Sequence, residues 1–279
     1  MTEPVPEVPS RAREWAERFA TFEQVRAVAL GGSWVTGRAD PRSDLDLLVY
    51  ASAPPPAEAR RALILPRAAR AEIDNTFFGT GDEWIDPLGQ GMDVAYWSPE
   101  WIEDQVERVL VRFEASLGYT TSFLHTVRNS RVLFDREGWL TRLQARTRGD
   151  YPEPLRQAIV AKNHPVLRSK LSSYFEQIEL ALNRADAVSV QHRVTAVLAS
   201  YFDILFAVNR VAHPGEKRLL EHARRLCPLR PSELESQVAT VIRAVGDPGL
   251  GLLSHLQVLL DGLDSMLISE GLMPSPGTS

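Results

Sequence analysis

Cysteine is nearly missing from this chain. Cys227 stands alone among 279 residues, so no intramolecular disulfide can form, and the chain suits a reducing compartment. No metal-ligand spacing surrounds Cys227, which reads as an inert core thiol. Long apolar runs are missing as well: no segment approaches the roughly 18 uninterrupted residues a membrane-spanning helix needs. The opening MTEPVPEVPS has neither the basic nor the apolar region of a secretory signal. The expectation is a cytoplasmic protein with no membrane partner. A strong charge of one sign is also lacking. The net charge is -5, from 31 basic and 36 acidic residues, and offers no broad attraction for nucleic-acid phosphates. The six histidines show no zinc spacing such as HExxH. Absence of GxxxxGKS argues against a P-loop ATPase, and the GGS around Ser33 is not the GxSxG elbow of an α/β-hydrolase.

What is present is an ordinary globular composition, 44% hydrophobic and 24% charged, long enough for two domains. Ser10 is placed to cap a helix running to about residue 20, with Trp15 and Phe19 facing inward. VRAVAL (25–30), LDLLVY (45–50) and GMDVAYWS (91–98) read as strands, and PAEARRALIL as a helix between the last two. Pro99 opens a helix expected to run through residue 118. From residue 151 onward helical periodicity takes over. Val190, Val194, Val197, Tyr201, Ile204, Leu205 and Val208 mark a long spine helix, with further helices near 155–170, 171–184, 215–226, 231–245 and 251–270. The expected fold class is α+β: a small mixed β-sheet with flanking helices over residues 1–150, then an all-α helical bundle over 151–279.

The chemistry concentrates in GGSWVTGRADPRSDLDLLVY, residues 31–50. Asp44 and Asp46 are one residue apart on a predicted strand, so both leave the same face, roughly 6 to 7 Å apart. Two carboxylates that close repel unless a cation lies between them, and magnesium with its oxygen preference is the natural counter-charge. The alternative is an edge strand with a wet face. Gly31, Gly32 and Ser33 end the preceding strand with little bulk, which lets backbone N–H groups and a hydroxyl approach a phosphate. Asp93 supplies a third acid on another strand, and three converging acids suit two-metal phosphoryl or nucleotidyl transfer. Ser43 either adds a hydroxyl to the phosphate or caps the loop. Arg38 and Arg42 either meet phosphate oxygens or remain solvated, with Arg38 preferred for its place after Gly37.

This pattern, an apolar strand, Gly31-Gly32-Ser33, a gap, then Asp44-Leu45-Asp46-Leu47, resembles the signature of the polymerase-beta-like nucleotidyltransferase superfamily, with Asp93 in the place of its third acid. The helical second half is similar to the partner domain of its antibiotic-nucleotidyltransferase branch, of the aminoglycoside and lincosamide type. KNHPVL and NRVAHPGEKRLL resemble motifs of bacterial proteins of that kind. The resemblance implies that Asp44 and Asp46 bind two Mg2+ ions, that Asp93 binds the catalytic one, and that Gly32 and Ser33 hold the triphosphate of ATP or another NTP. It also implies transfer of a nucleoside monophosphate, AMP by preference, to a hydroxyl of a small molecule such as an aminoglycoside-like antibiotic, with release of pyrophosphate. Transfer to a protein or tRNA, and a nucleotide-binding sensor without turnover, are the alternatives. Oligomeric state is left open.

Two places in the second half bear on the acceptor. Asp203 lies off the main apolar stripe of the spine helix between bulky apolar neighbours, so burial demands a partner for it. It is either a member of a structural ion pair or a carboxylate facing the cleft, where it would act as a base. Lys217, in AHPGEKRLL, either faces the nucleotide phosphates or is a solvated charge of a helix connection. Glu72 and Glu83 compete for the role of base in the first domain, with solvated surface charges as their commoner fate.

Overall fold

The computed structural model describes residues 8–37, 39, 43–77, 79–247 and 251–274. Arg38 and Arg42 of the predicted phosphate loop lie outside them. The chain divides into two compact units. The first comprises Met1–Glu107 and Thr126–Gly149, the second Arg108–His125 and Asp150–Ser279.

The first unit is built on one six-stranded mixed sheet. Helix α1 (Ser10–Ala20) leads into β1 (Val25–Leu30), a one-turn helix α2 (Gly32–Val35) and β2 (Leu45–Ala51). Helix α3 (Ala57–Ile64) is followed by β3 (Arg70–Asn75), β4 (Gly81–Ile85), β5 (Gly91–Trp97) and α4 (Pro99–Leu110). Helix α5 (Ser122–Asn129), β6 (Arg131–Asp135) and α6 (Trp139–Thr147) complete the series. Strand order across the sheet is β3-β4-β5-β2-β1-β6. Only β2 and β5 run parallel among the paired strands; the hairpin β3–β4 and the pairs around β1 are antiparallel.

Alternation along β2 sets the two faces. Leu45, Leu47 and Val49 join Val28 and Leu30 of β1 and Met92 and Val94 of β5 in a core that buries Trp15 and Phe19 of α1. Phe19 meets the ring of Tyr96 edge-on at 6.1 Å, and Trp15 meets Trp84 at 4.5 Å. On the opposite face Tyr50 contacts the rings of Trp97 and Trp139, while Asp46 takes the end nearest α2.

The second unit has no strand among its described residues. Its helices are α7 (Glu153–Arg168), α8 (Tyr174–Asn183), α9 (Ala187–Val208), α10 (Leu219–Leu226), α11 (Leu234–Gly246) and α12 (Leu252–Ser269). The spine helix α9 is buried from Ser200 to Val208 without a break. An apolar stripe has become an all-round apolar segment there, because α7, α8, α10, α11 and α12 all pack on it.

Several expectations change. The helix from Pro99 stops at Leu110 instead of residue 118: Arg108 donates to the carbonyls of Glu114 and Thr120 and to Ser116 Oγ, folding the chain back, and Phe113 takes a left-handed φ of 53°. Ser10 is the first helical residue and Pro9 holds the cap position, with no side-chain cap bond. Strands β3, β4 and β6 carry little apolar alternation and escape a reading by periodicity. α7 runs on through Pro165 into its last turn. Among the described residues no helix is long and apolar enough to cross a membrane.

Candidate active site

The acids of the first unit are assembled by strand register. Asp46 on β2 is the direct partner of Asp93 on the parallel strand β5. Asp93 in turn faces Glu83 on β4, and Glu83 faces Glu72 on β3. Residues paired directly across strands share a face, so Asp46, Asp93, Glu83 and Glu72 form one row over four adjacent strands. Asp44 was expected on the strand with Asp46; it lies one residue before β2 begins and is exposed.

Two glycines make room for the acid pair. A Cβ added at Gly32 would overlap the carboxylate of Asp46, and one at Gly91 would overlap that of Asp44. Gly32 also has φ +63°, a left-handed conformation that glycine adopts without the usual steric cost. Asp44, Glu72, Glu83 and Asp93 line a shared cavity of about 360 Å3, with Arg70 on its rim. Burial, and then the charges of Asp93, Glu72 and Asp44, raise the proton affinity of the Glu83 carboxyl.

The GGS segment turns from β1 into α2 beside this row. Gly31 N–H donates to the Asp46 carbonyl at 2.8 Å and is thereby committed to the sheet. The N–H groups of Gly32, Ser33 and Trp34 belong to the first turn of α2, where helical geometry supplies no carbonyl partner. Ser43 is held by its carbonyl, which accepts from Trp34 Nε1 at 3.4 Å and Gln90 Nε2 at 2.9 Å. Asp44 is therefore anchored from both α2 and the β4–β5 turn. Among the described residues no group of three or more His, Cys, Asp or Glu is closed tightly enough to hold a metal ion with its side chains as they stand.

The remaining predicted site residues lie in the second unit. Asp203 on α9 is 1% exposed. It accepts hydrogen bonds from Thr120 N–H at 3.0 Å, Thr120 Oγ1 at 2.6 Å and Asn163 Nδ2 at 3.3 Å. Burial raises its carboxyl to about 6, against the opposing effect of those bonds and of Arg108. This is a carboxylate enclosed by its own unit, tying the segment Arg108–His125 to α7 and α9. Lys217 is exposed in the turn before α10. Nearby His213 is fully buried, and burial with the charges of His125 and His222 lowers its proton affinity to about 3.

Glu72 and Glu83 are candidate bases in the sequence, but their place in the row with Asp93 is not legible there, and neither is the part of Gly91. Both depend on pairing between strands, and no local signal marks it. In hindsight the alternation Asp82-Glu83-Trp84, with buried residues on either side of Glu83, is the one trace.

Residues 12–108 match the family model described as a nucleotidyltransferase domain, and residues 117–219 match a domain of unknown function, DUF4037. No curated protein matches the chain. Three solved structures are similar. A nucleotidyltransferase-like protein from Exiguobacterium sibiricum has 14% identity and a TM-score of 0.44, over 94% of this chain and 74% of that one. An aminoglycoside 6-adenyltransferase from Bacillus subtilis has 8% identity and a TM-score of 0.34, covering 96% and 94%. The CCA-adding enzyme of Thermotoga maritima, in complex with tRNA, has 12% identity and a TM-score of 0.29, covering 95% and 83%.

Proposed function

We propose that this protein, whose residues 12–108 match a nucleotidyltransferase domain, moves AMP from ATP, with magnesium, to a hydroxyl of a small cationic acceptor, releasing pyrophosphate. The observation that carries this reading is the register of Asp46 against Asp93, with Asp44 entering over Gly91, all within the matched segment.

The donor set fits a hard divalent cation. Asp44, Asp46 and Asp93 offer only carboxylate oxygens, and the like-charge pressure that reaches Glu83 is what a cation would relieve. Asp44, Asp46 and Asp93 would hold such an ion; Asp44 and Asp93 border one cavity, and Asp46 is the register partner of Asp93. When bound, magnesium supplies polarisation of the α-phosphate and neutralises charge on the departing pyrophosphate. The chain's own part is to bind and orient. The first-turn N–H groups of Gly32 and Ser33 and the Ser33 hydroxyl receive the triphosphate. Ser43 fixes the approach of Asp44 through its doubly held carbonyl. Glu83 and Glu72 extend the negative row beyond the metal acids and favour an acceptor with ammonium groups.

The test is pyrophosphate release from each of the four NTPs with magnesium, against aminoglycosides, lincosamides, bulk tRNA and protein. ATP with a polycationic small molecule should give release, and Asp46→Asn should lower it by more than about 100-fold with an unchanged melting temperature. Turnover retained in Asp46→Asn removes the carboxylate site from the reaction. Glu72→Gln with Glu83→Gln should raise KM for the cationic acceptor several-fold while KM for the NTP stays within twofold. An unchanged acceptor KM would reject the acidic row as its recognition surface.

A further inference from the structure

A second cavity in the first unit, of about 450 Å3, shares no lining residue with the acidic one. Leu30 forms part of its wall and is the register partner of Leu47, whose side chain alternates with that of Asp46. The Leu30 side chain thus points away from the carboxylates, while Gln144 and Arg148 reach the cavity from α6, whose Trp139 packs on Tyr50. Its other walls come from Trp34 and Val35 of α2, the junction of α5 with β6, and the end of α6.

Charge distinguishes it. Arg128, Arg131 and Arg148 line it, and none of its described lining residues is acidic, in a chain whose net charge is -5. Its frame is built before any ligand arrives. Gln144 Nε2 donates to the carbonyls of Val127 at 2.9 Å and Ser130 at 2.7 Å, and Arg128 donates to the Thr147 carbonyl, clamping α5 and β6 to α6. Arg131 is fixed in register opposite Leu30. Arginines presented on a rigid frame bind phosphate oxygens with little ordering cost. Trp34 contributes an aromatic wall, and the volume is in the range of small-molecule sites.

We propose that this cavity is a second ligand site, separate from the acid row, that takes a phosphate-bearing small anion up to nucleotide size on Arg128, Arg131 and Arg148. Occupancy bears on catalysis through one residue: Trp34 both lines the cavity and donates to the Ser43 carbonyl, next to Asp44.

The experiment is calorimetric titration of inorganic pyrophosphate and of ADP into the full chain in EDTA. Without a divalent ion the acid row works against binding at the GGS turn, and Asp46→Asn, which lightens that row, reports whether the turn contributes. Wild type and Asp46→Asn should each show one site of equal affinity. Arg148→Ala, at the exposed end of α6, should weaken it at least tenfold, and Arg131→Ala with Arg148→Ala should abolish it, with thermal melts confirming folded protein. ADP binding tighter than pyrophosphate, and weakened by Trp34→Leu, makes the ligand a nucleotide; equal affinities mean that the phosphates alone are read, and both results support the site. No binding in EDTA, unchanged affinity in Arg148→Ala, or loss in Asp46→Asn overturns it. These outcomes are independent of whether pyrophosphate release is ever detected.

Discussion

Gly32 and Gly91 each yield space to a carboxylate, but for different reasons, and substitution separates them. At Gly32 alanine meets both the Asp46 carboxylate and a φ of +63°, so Gly32→Ala should cost roughly 1–2 kcal/mol of stability as well as activity. Gly91 has no such backbone conformation, and Gly91→Ala should lower turnover by displacing Asp44 while the melting temperature stays within about 2 °C. Equal activity in both variants and wild type would show that the positions of the acids are irrelevant. Asp203 makes a different point. Its carboxyl is raised from an ordinary value of 3.8 to about 6, so the folded state holds the proton more tightly than the unfolded one. The stability it contributes is full below about pH 3.8 and is lost as pH rises through 6, a change on the order of 3 kcal/mol. Asp203→Asn should flatten the melting temperature across pH 4 to 7; a profile parallel to wild type would assign that dependence to other groups.

Among the elements, the hairpin β3–β4 is the one the sequence conceals and the acid row needs. Glu72 and Glu83 are positioned by strands whose outward residues are polar and whose inward ones, Ala71, Ile73 and Trp84, are too few to announce a period. Strands β1, β2 and β5, by contrast, are legible because β1 and β2 are short apolar runs, β5 alternates, and glycine or turn residues flank them. Asp44, Asp46 and the GGS turn stand out in the sequence because they are neighbours, and Asp93 because its strand is readable. What joins Asp93 to Glu83 and Glu72 is long-range register. The hairpin is held from behind by Arg60 of α3, 2% exposed, which forms ion pairs with Asp82 of β4 and Asp74 of β3, while Tyr96 Oη donates to Asp82 at 2.6 Å. Arg60→Met leaves Asp82 buried without its cation and should cost about 3–5 kcal/mol. Adding Asp82→Asn should recover part of that loss. No recovery in the double variant would mean that Arg60 acts by packing alone.

At the scale of the molecule, the two units are interleaved along the chain. Residues 108–125 belong to the second unit, though nothing in their composition separates them from the first. The tie is a set of bonds with large sequence separation: Thr120 to Asp203, Gly118 N–H to Asn163 Oδ1, and His213 N–H to Thr121 Oγ1. A fragment of residues 150–279 should therefore melt without a cooperative transition, whereas 108–279 should unfold cooperatively by circular dichroism. Equal cooperativity of the two fragments would show that the inserted segment is dispensable.

The same interleaving imposes an order on the ribosome. Thr120 emerges 83 residues ahead of Asp203, a wait of about 4 to 17 s at typical translation rates of roughly 5–20 residues per second. During that interval the sheet can already close its edge with β6, made between the two pieces of the helical unit. The nascent chain thus finishes the sheet unit while its partner is still being synthesised, with residues 108–125 the stretch a chaperone would have to shield.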